Sequence, residues 1–133
     1  MHKGTCLCGA TGWAFDGTPE DATICNCSAC RRYGTLWAYD WEGERITVHG
    51  ETVAWKRPHE RAVLTFNHCP DCGCAVFWRA LGPGEDGRVR IAVNLRLAEA
   101  PETLMGLPLL KFDGLHSFED LDPEGRRLGD VWW

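Results

Sequence analysis

The sequence predicts a mainly β fold held by metal-binding cysteines, and three observations predict it. The ordered-looking segments are short, β-branched and aromatic, and Gly and Pro break them. No window sustains the 3.6-residue period of a long helix. Eight cysteines fall into three tight clusters, a pattern that in a reducing compartment reads as metal ligation rather than disulfides.

Strands are expected over residues 11–15, 35–41, 46–48, 52–56, 62–66, 75–78 and 89–93. In the last of these, Val89, Ile91 and Val93 alternate with Arg90 and Ala92, as a half-buried strand should. One short helix is expected over 28–33, with Ser28 as N-cap and Gly34 just past its end. Residues 82–87 read as an exposed loop, and turns are expected at Asp113-Gly114 and over 122–125. The closing Trp132-Trp133 pair is expected to pack back on the body.

A length of 133 residues predicts one domain over 1–133, long enough for a core yet small enough to gain from a metal staple. The net charge of −5 and the lack of a basic extension disfavour nucleic acid as a partner and favour solubility. The start, Met1-His2-Lys3-Gly4-Thr5-Cys6, has no apolar core of a signal peptide. No apolar run approaches the roughly 20 residues of a membrane helix. The expected location is the cytoplasm, and the oligomeric state is not legible.

The cysteine clusters are Cys6-Leu7-Cys8-Gly9, Cys25-Asn26-Cys27-Ser28-Ala29-Cys30 and Cys69-Pro70-Asp71-Cys72-Gly73-Cys74. A closed structural zinc site takes four thiolates in a tetrahedron. A Cys-x-x-Cys-Gly turn presents two sulfurs on one side, with Gly free to take positive φ. The third cluster has this form and the first is a shorter version, so Cys6, Cys8, Cys69 and Cys72 are expected to share one zinc. Cys25, Cys27 and Cys30 give three close ligands without a local fourth, the pattern of a catalytic zinc with an open position. A closed second site completed by Cys74 or a histidine, and a buried-thiol role for Cys74, are the alternatives. His2, His49, His59, His68 and His116 read as solvated or satisfied, with His68 notable for adjoining Cys69.

The ordered clusters resemble the glutathione-dependent formaldehyde-activating family, which includes the centromere protein V-like domain. Its pattern is Cys-x-Cys-Gly, Cys-x-Cys-x-x-Cys, then Cys-x-x-Cys-Gly. The resemblance covers roughly residues 4 to 112, and Val93-Asn94-Leu95-Arg96-Leu97 shares it. It implies a β-tent fold of antiparallel sheets around a structural zinc at Cys6, Cys8, Cys69 and Cys72. It places a catalytic zinc at Cys25, Cys27 and Cys30. Cys74 is not part of the family's metal pattern.

The function expected is a carbon–sulfur lyase step in which glutathione, or a similar thiol, adds to formaldehyde or another small aldehyde. A zinc with three thiolates carries a formal charge of −1 and suits a soft thiol as its fourth ligand. Glutathione is anionic, so Arg31 and Arg32 after Cys30 are the nearest candidates to bind it, with Asn94 and Arg96 behind them. Tyr33 either donates a proton or packs. The competing reading is a non-catalytic zinc-stabilised binding module, which would show a wide apolar patch and no pocket at the middle cysteines.

Overall fold

The computed structural model describes residues 1–122 and 124–133. The chain is mainly β, with short helical turns, in two sheets. Strands β1 (His2–Thr5), β2 (Gly12–Phe15) and β5 (Ile46–His49) form an antiparallel sheet with β2 in the middle. The second sheet uses β3 (Ala22–Cys25), β4 (Trp37–Trp41), β6 (Val53–Trp55), β7 (Leu64–His68), β8 (Ala75–Ala80), β9 (Arg90–Asn94), β10 (Leu109–Phe112) and β11 (Asp120–Leu121). Their order across the sheet is β11-β10-β3-β4-β9-β8-β7-β6. Its pairs are antiparallel except β10 with β3, which runs parallel.

Side-chain alternation gives the large sheet two distinct faces. Ala38, Val93 and Phe77 lie in register across β4, β9 and β8. They join Trp13, Phe15 and Ile46 of the small sheet and Leu95, Leu104 and Leu128 in the main core. The other face carries Tyr39, Ala92, Trp78, Phe66 and Trp55 in register. There Cys30, Trp37, Phe66 and Ala92 form a second cluster, with Cys25, Cys27 and Tyr33 packed on it. Strand β9 was expected to be half-buried. Instead Ile91, Ala92 and Val93 are all fully buried, because the Ala92 face is covered by this second cluster rather than water.

Four strands go beyond the sequence expectation: β1, β3, β10 and β11. Each is four residues or fewer, too short to declare a period; β3 and β10 pair across most of the chain, while β1 pairs with the nearby β2 and β11 with the nearby β10. The helix is shorter than expected: α1 spans Cys30–Tyr33, its N-cap is Ala29, and Gly34 closes it at φ 67°. Ser28 does not cap it. Its hydroxyl instead accepts a hydrogen bond from Arg57, at 2.7 Å.

Asn94 and Arg96 also prove structural. Asn94 is buried; its side-chain oxygen accepts from the Leu36 and Arg96 amides, and its Nδ2 donates to the Ala75 carbonyl at 2.8 Å. Arg96 donates to the carbonyls of Val131 and Trp132 and lies over the Trp132 ring. Trp132 therefore packs back as expected, while Trp133 is fully exposed. In the turn expected over 122–125, Pro123 lies outside the described residues, and Glu124 and Gly125 both have positive φ.

Candidate metal centres and active site

The first and third cysteine clusters meet as two matching turns. Cys6 and Cys8 lie between β1 and β2, and Cys69 and Cys72 lie between β7 and β8. The Gly9 amide donates to the Cys6 carbonyl at 3.0 Å, and the Gly73 amide to the Cys69 carbonyl at 2.9 Å. Gly9 and Gly73 take φ of 81° and 78°, the left-handed conformation that side chains disfavour. All four sulfurs lie within 4.8 Å of one another, with Cys8 Sγ 3.6 Å from both Cys6 Sγ and Cys69 Sγ. Tetrahedral metal–sulfur bonds of roughly 2.3 Å give sulfur–sulfur edges of roughly 3.8 Å, so these four residues could hold one ion. Such an ion would tie the small sheet to the large one.

The middle cluster is built differently. Cys25 ends β3, and Cys27 and Cys30 sit in the turn that opens α1. Their three sulfurs also lie within 4.8 Å of one another, and among the described residues no fourth His, Cys, Asp or Glu joins them. Every sulfur receives an N–H. The Cys27 amide donates to Cys25 Sγ at 3.4 Å and the Cys30 amide to Cys27 Sγ at 3.2 Å. The buried Trp37 indole donates to Cys30 Sγ at 3.3 Å. An array of donors aimed at sulfur favours thiolates, the form that binds metal. Hydrogen bonds from Cys25 and Cys30 lower the Cys27 pKa, and those from Cys25 and Cys27 raise that of Cys30.

Cys74 belongs to neither group. Its carbonyl accepts from the Cys69 amide at 2.9 Å, closing the turn, and its half-buried thiol is raised by desolvation. The closed second site through Cys74 is therefore not formed. No histidine joins either group among the described residues. His68 points a buried Nδ1 that has no hydrogen-bond partner.

A cleft of about 410 Å³ opens beside Cys27 and Cys30, lined by Ser28, Ala29, Arg32, Tyr33, Trp55 and Arg57. Of the two arginines expected to bind substrate, the structure brings Arg32 to this cleft and leaves Arg31 on the exposed surface away from it. Arg32 donates to the Ser28 carbonyl at 2.9 Å. The cation missed in the sequence is Arg57, whose Nη2 lies 3.7 Å from Cys27 Sγ. It follows β6, whose register carries Trp55 onto the site face beside Phe66. The only sequence hint was an arginine two residues past a tryptophan, too common a pairing to single out. Tyr33 packs on Phe66 with ring centroids 5.4 Å apart, and burial raises its phenol pKa.

The opposite wall was also missed. Asn26, between two ligands, donates to Asp113 at 2.9 Å, and its oxygen accepts from the Leu115 amide at 3.1 Å. Asp113 accepts further bonds from the His116 and Ser117 amides and the Ser117 hydroxyl. The Asn26 contact leads in holding the Asp113 carboxyl well below the usual range. This network seats Gly114 directly on the cysteines. A Cβ there would lie 2.8 Å from Cys27 Cβ and 2.9 Å from Cys25 Sγ.

The ordered cysteines and this geometry agree with a family model described as glutathione-dependent formaldehyde-activating enzyme, matched over residues 1–103. The chain belongs to that family. The match stops short of the Asp113–Gly114 wall. No curated protein matches. Among solved structures, a Rhodobacter sphaeroides protein is similar over 80% of this chain and 98% of its own, at 24% identity and a TM-score of 0.59. That likeness shows a shared fold alone. No helix among the described residues is long and apolar enough to cross a membrane.

Proposed function

We propose that the chain is a cytoplasmic single-domain carbon–sulfur lyase-type enzyme that promotes addition of glutathione to formaldehyde or another small aldehyde. The observation that carries the reading is the three-cysteine group, with no fourth protein ligand among the described residues and with Arg57 of the adjoining cleft 3.7 Å from Cys27 Sγ. The same observation favours an enzyme over a binding module, which would present an apolar surface without a pocket at these cysteines. We assign zinc to both groups: thiolate sets with tetrahedral edges suit it, and the closed set would be structural.

Zinc held by Cys25, Cys27 and Cys30 would supply ionisation of the substrate thiol at neutral pH. The chain's own residues do the rest. The N–H groups of Cys27, Cys30 and Trp37 point at the protein sulfurs and would favour their metal-bound thiolate form. Arg57 places a positive charge beside Cys27 and offsets the excess negative charge of three thiolates. Arg32 and Arg57 together would hold the carboxylate at the glycine end of glutathione. Bound in this way, the sulfur and the aldehyde meet in fixed geometry, which is where acceleration over the spontaneous reaction comes from. The new bond joins sulfur to the carbonyl carbon, and the carbonyl oxygen takes up a proton. Tyr33, kept protonated by burial, lines the cleft as donor to that oxygen. The product with formaldehyde is S-hydroxymethylglutathione.

Exchange NMR on zinc-loaded protein, glutathione and formaldehyde tests the reading. Faster interconversion of glutathione and its S-hydroxymethyl adduct than in the protein-free mixture is expected. A rate equal to that mixture would sink it.

A further inference from the structure

The proposed reaction leaves Asn26 and the turn over residues 113–117 without a task. Asn26 stands between two of the three clustered cysteines and is exposed, so no core depends on its side chain. Both ends of its amide are nevertheless engaged by that one turn. Nδ2 donates to Asp113 Oδ1 at 2.9 Å, and Oδ1 accepts from the Leu115 amide at 3.1 Å. The Asn26 backbone amide donates to the Phe112 carbonyl at the start of the same turn, at 3.4 Å.

The turn is anchored independently of Asn26. Asp113 is 9% exposed. Its Oδ1 also accepts from the His116 amide at 3.1 Å, and its Oδ2 accepts from the Ser117 amide at 3.1 Å and the Ser117 hydroxyl at 3.0 Å. Its own amide donates to the Glu119 carbonyl at 2.9 Å, and its carbonyl accepts from the Phe118 amide at 2.7 Å. Phe112 lies opposite Cys25 across β10 and β3, so the turn leaves the sheet beside that ligand. Among the three cysteines, Cys25 is fixed by β3, and Cys30 by α1 and the Trp37 indole. Cys27 lies between them, outside any strand or helix. Asn26 is the link through which its separation from Cys25 is set.

We infer that Asn26 is a positioning residue for the three-cysteine metal centre: clamped to the Asp113 turn, it holds Cys27 at metal-binding distance from Cys25 before any metal arrives. The inference rests on the proposed assignment of metal to these cysteines and deepens it. Three protein ligands restrain an ion less than four do, so a centre with an open position gains most from a loop already in shape. Gly114 presses on the same loop from the turn, where a Cβ would collide with Cys27 and Cys25. Asn26 bonds to none of the sulfurs and acts through the loop alone.

Metal titration tests this without turnover, comparing wild type with Asn26→Ala and Asn26→Asp. The first variant removes both side-chain bonds. The second keeps an acceptor for Leu115 but sets a carboxylate against Asp113. Zinc affinity at the three cysteines is expected to fall roughly 10- to 100-fold in each, as it does when the outer partners of metal ligands are lost, with the four-cysteine site unchanged. Cobalt bound at the three cysteines is expected to show altered visible bands, which a residue that only stabilises the fold would leave as they are. Unchanged affinity, or unchanged bands, overturns the inference and leaves the proposed function standing. No metal at the three cysteines of the wild type overturns both. Hydrogen exchange in unaltered protein adds a check that misfolding of a variant does not affect. With zinc at the four-cysteine site alone, the Leu115 amide is expected to be protected, because Asn26 accepts its bond. Exchange at the rate of a free amide would show that no clamp precedes the metal, and overturns the inference.

Discussion

Replacing Gly114 with Ala should damage the three-cysteine site selectively. The added Cβ would lie 2.8 Å from Cys27 Cβ and 2.9 Å from Cys25 Sγ, closer than real Cβ contacts come. The wall cannot retreat freely, because Asn26, Leu115, His116 and Ser117 all anchor the turn around Asp113. Cys25 is held equally firmly at the end of β3. The backbone conformation at Gly114 is not left-handed, so the effect is steric rather than conformational. Overpacking of this kind typically costs about 1–3 kcal/mol, or roughly 5- to 150-fold in metal affinity at this site. Competition titration against a chromophoric chelator would resolve the two sites. The four-cysteine site serves as the internal reference, since Gly114 does not touch it. Second-site affinity unchanged within about twofold would refute the claim that Gly114 walls the metal centre.

Other outcomes follow from the same contacts. Trp37→Phe removes the N–H donated to Cys30 Sγ; with such bonds worth about 1.5–3 kcal/mol, second-site zinc affinity should fall roughly tenfold or more by the same titration. Arg57→Ala should raise KM for glutathione roughly tenfold, and amidation of the glycine carboxylate should weaken the wild type similarly while adding little to the variant. Cys69→Ser opens the four-cysteine group that joins the sheets, and the thermal midpoint should fall by roughly 10 °C or more by circular dichroism. Asp113 has a lowered folded-state pKa, so the stability it contributes is present above its unfolded value of roughly 4 and fades as pH drops toward the folded value. Asp113→Asn should therefore be less stable than wild type in urea at pH 7, with the gap closing as the pH is lowered below 4.

Metal chemistry was the most legible part of the sequence, because it depends on local spacing. Two Cys-x(x)-Cys-Gly turns specify their own geometry, and the structure brings Cys6, Cys8, Cys69 and Cys72 together. The triad Cys25, Cys27 and Cys30 spans six residues and needed no tertiary information to be found. The positions of the β-branched and aromatic strands were equally legible, including β4, β8 and β9, although β9 is buried on both faces rather than one. What stayed hidden was long-range. Strands β3 and β10 have too few residues to declare a period and exist because they pair with each other, Ala22 opposite Leu109, across most of the chain. Ser28 looked like a helix cap, but Arg57 claims its hydroxyl and the helical turn starts later. Arg31 and Arg32 are equivalent by sequence, and only the orientation of α1 sends one to the cleft. Asn94 and Arg96 looked chemical because they are polar within an apolar stretch. Their partners are backbone carbonyls and amides in the core and at the C-terminal end.

The division of the cysteines into a closed site and an open one is the central claim, and counting zinc tests it most directly. Zinc per chain should be measured by elemental analysis in the wild type and in Cys27→Ser, with circular dichroism alongside. Two zinc ions per chain, falling to one in a variant that keeps its fold, is the predicted result. One zinc in the wild type, or a Cys27→Ser variant that unfolds, would contradict it.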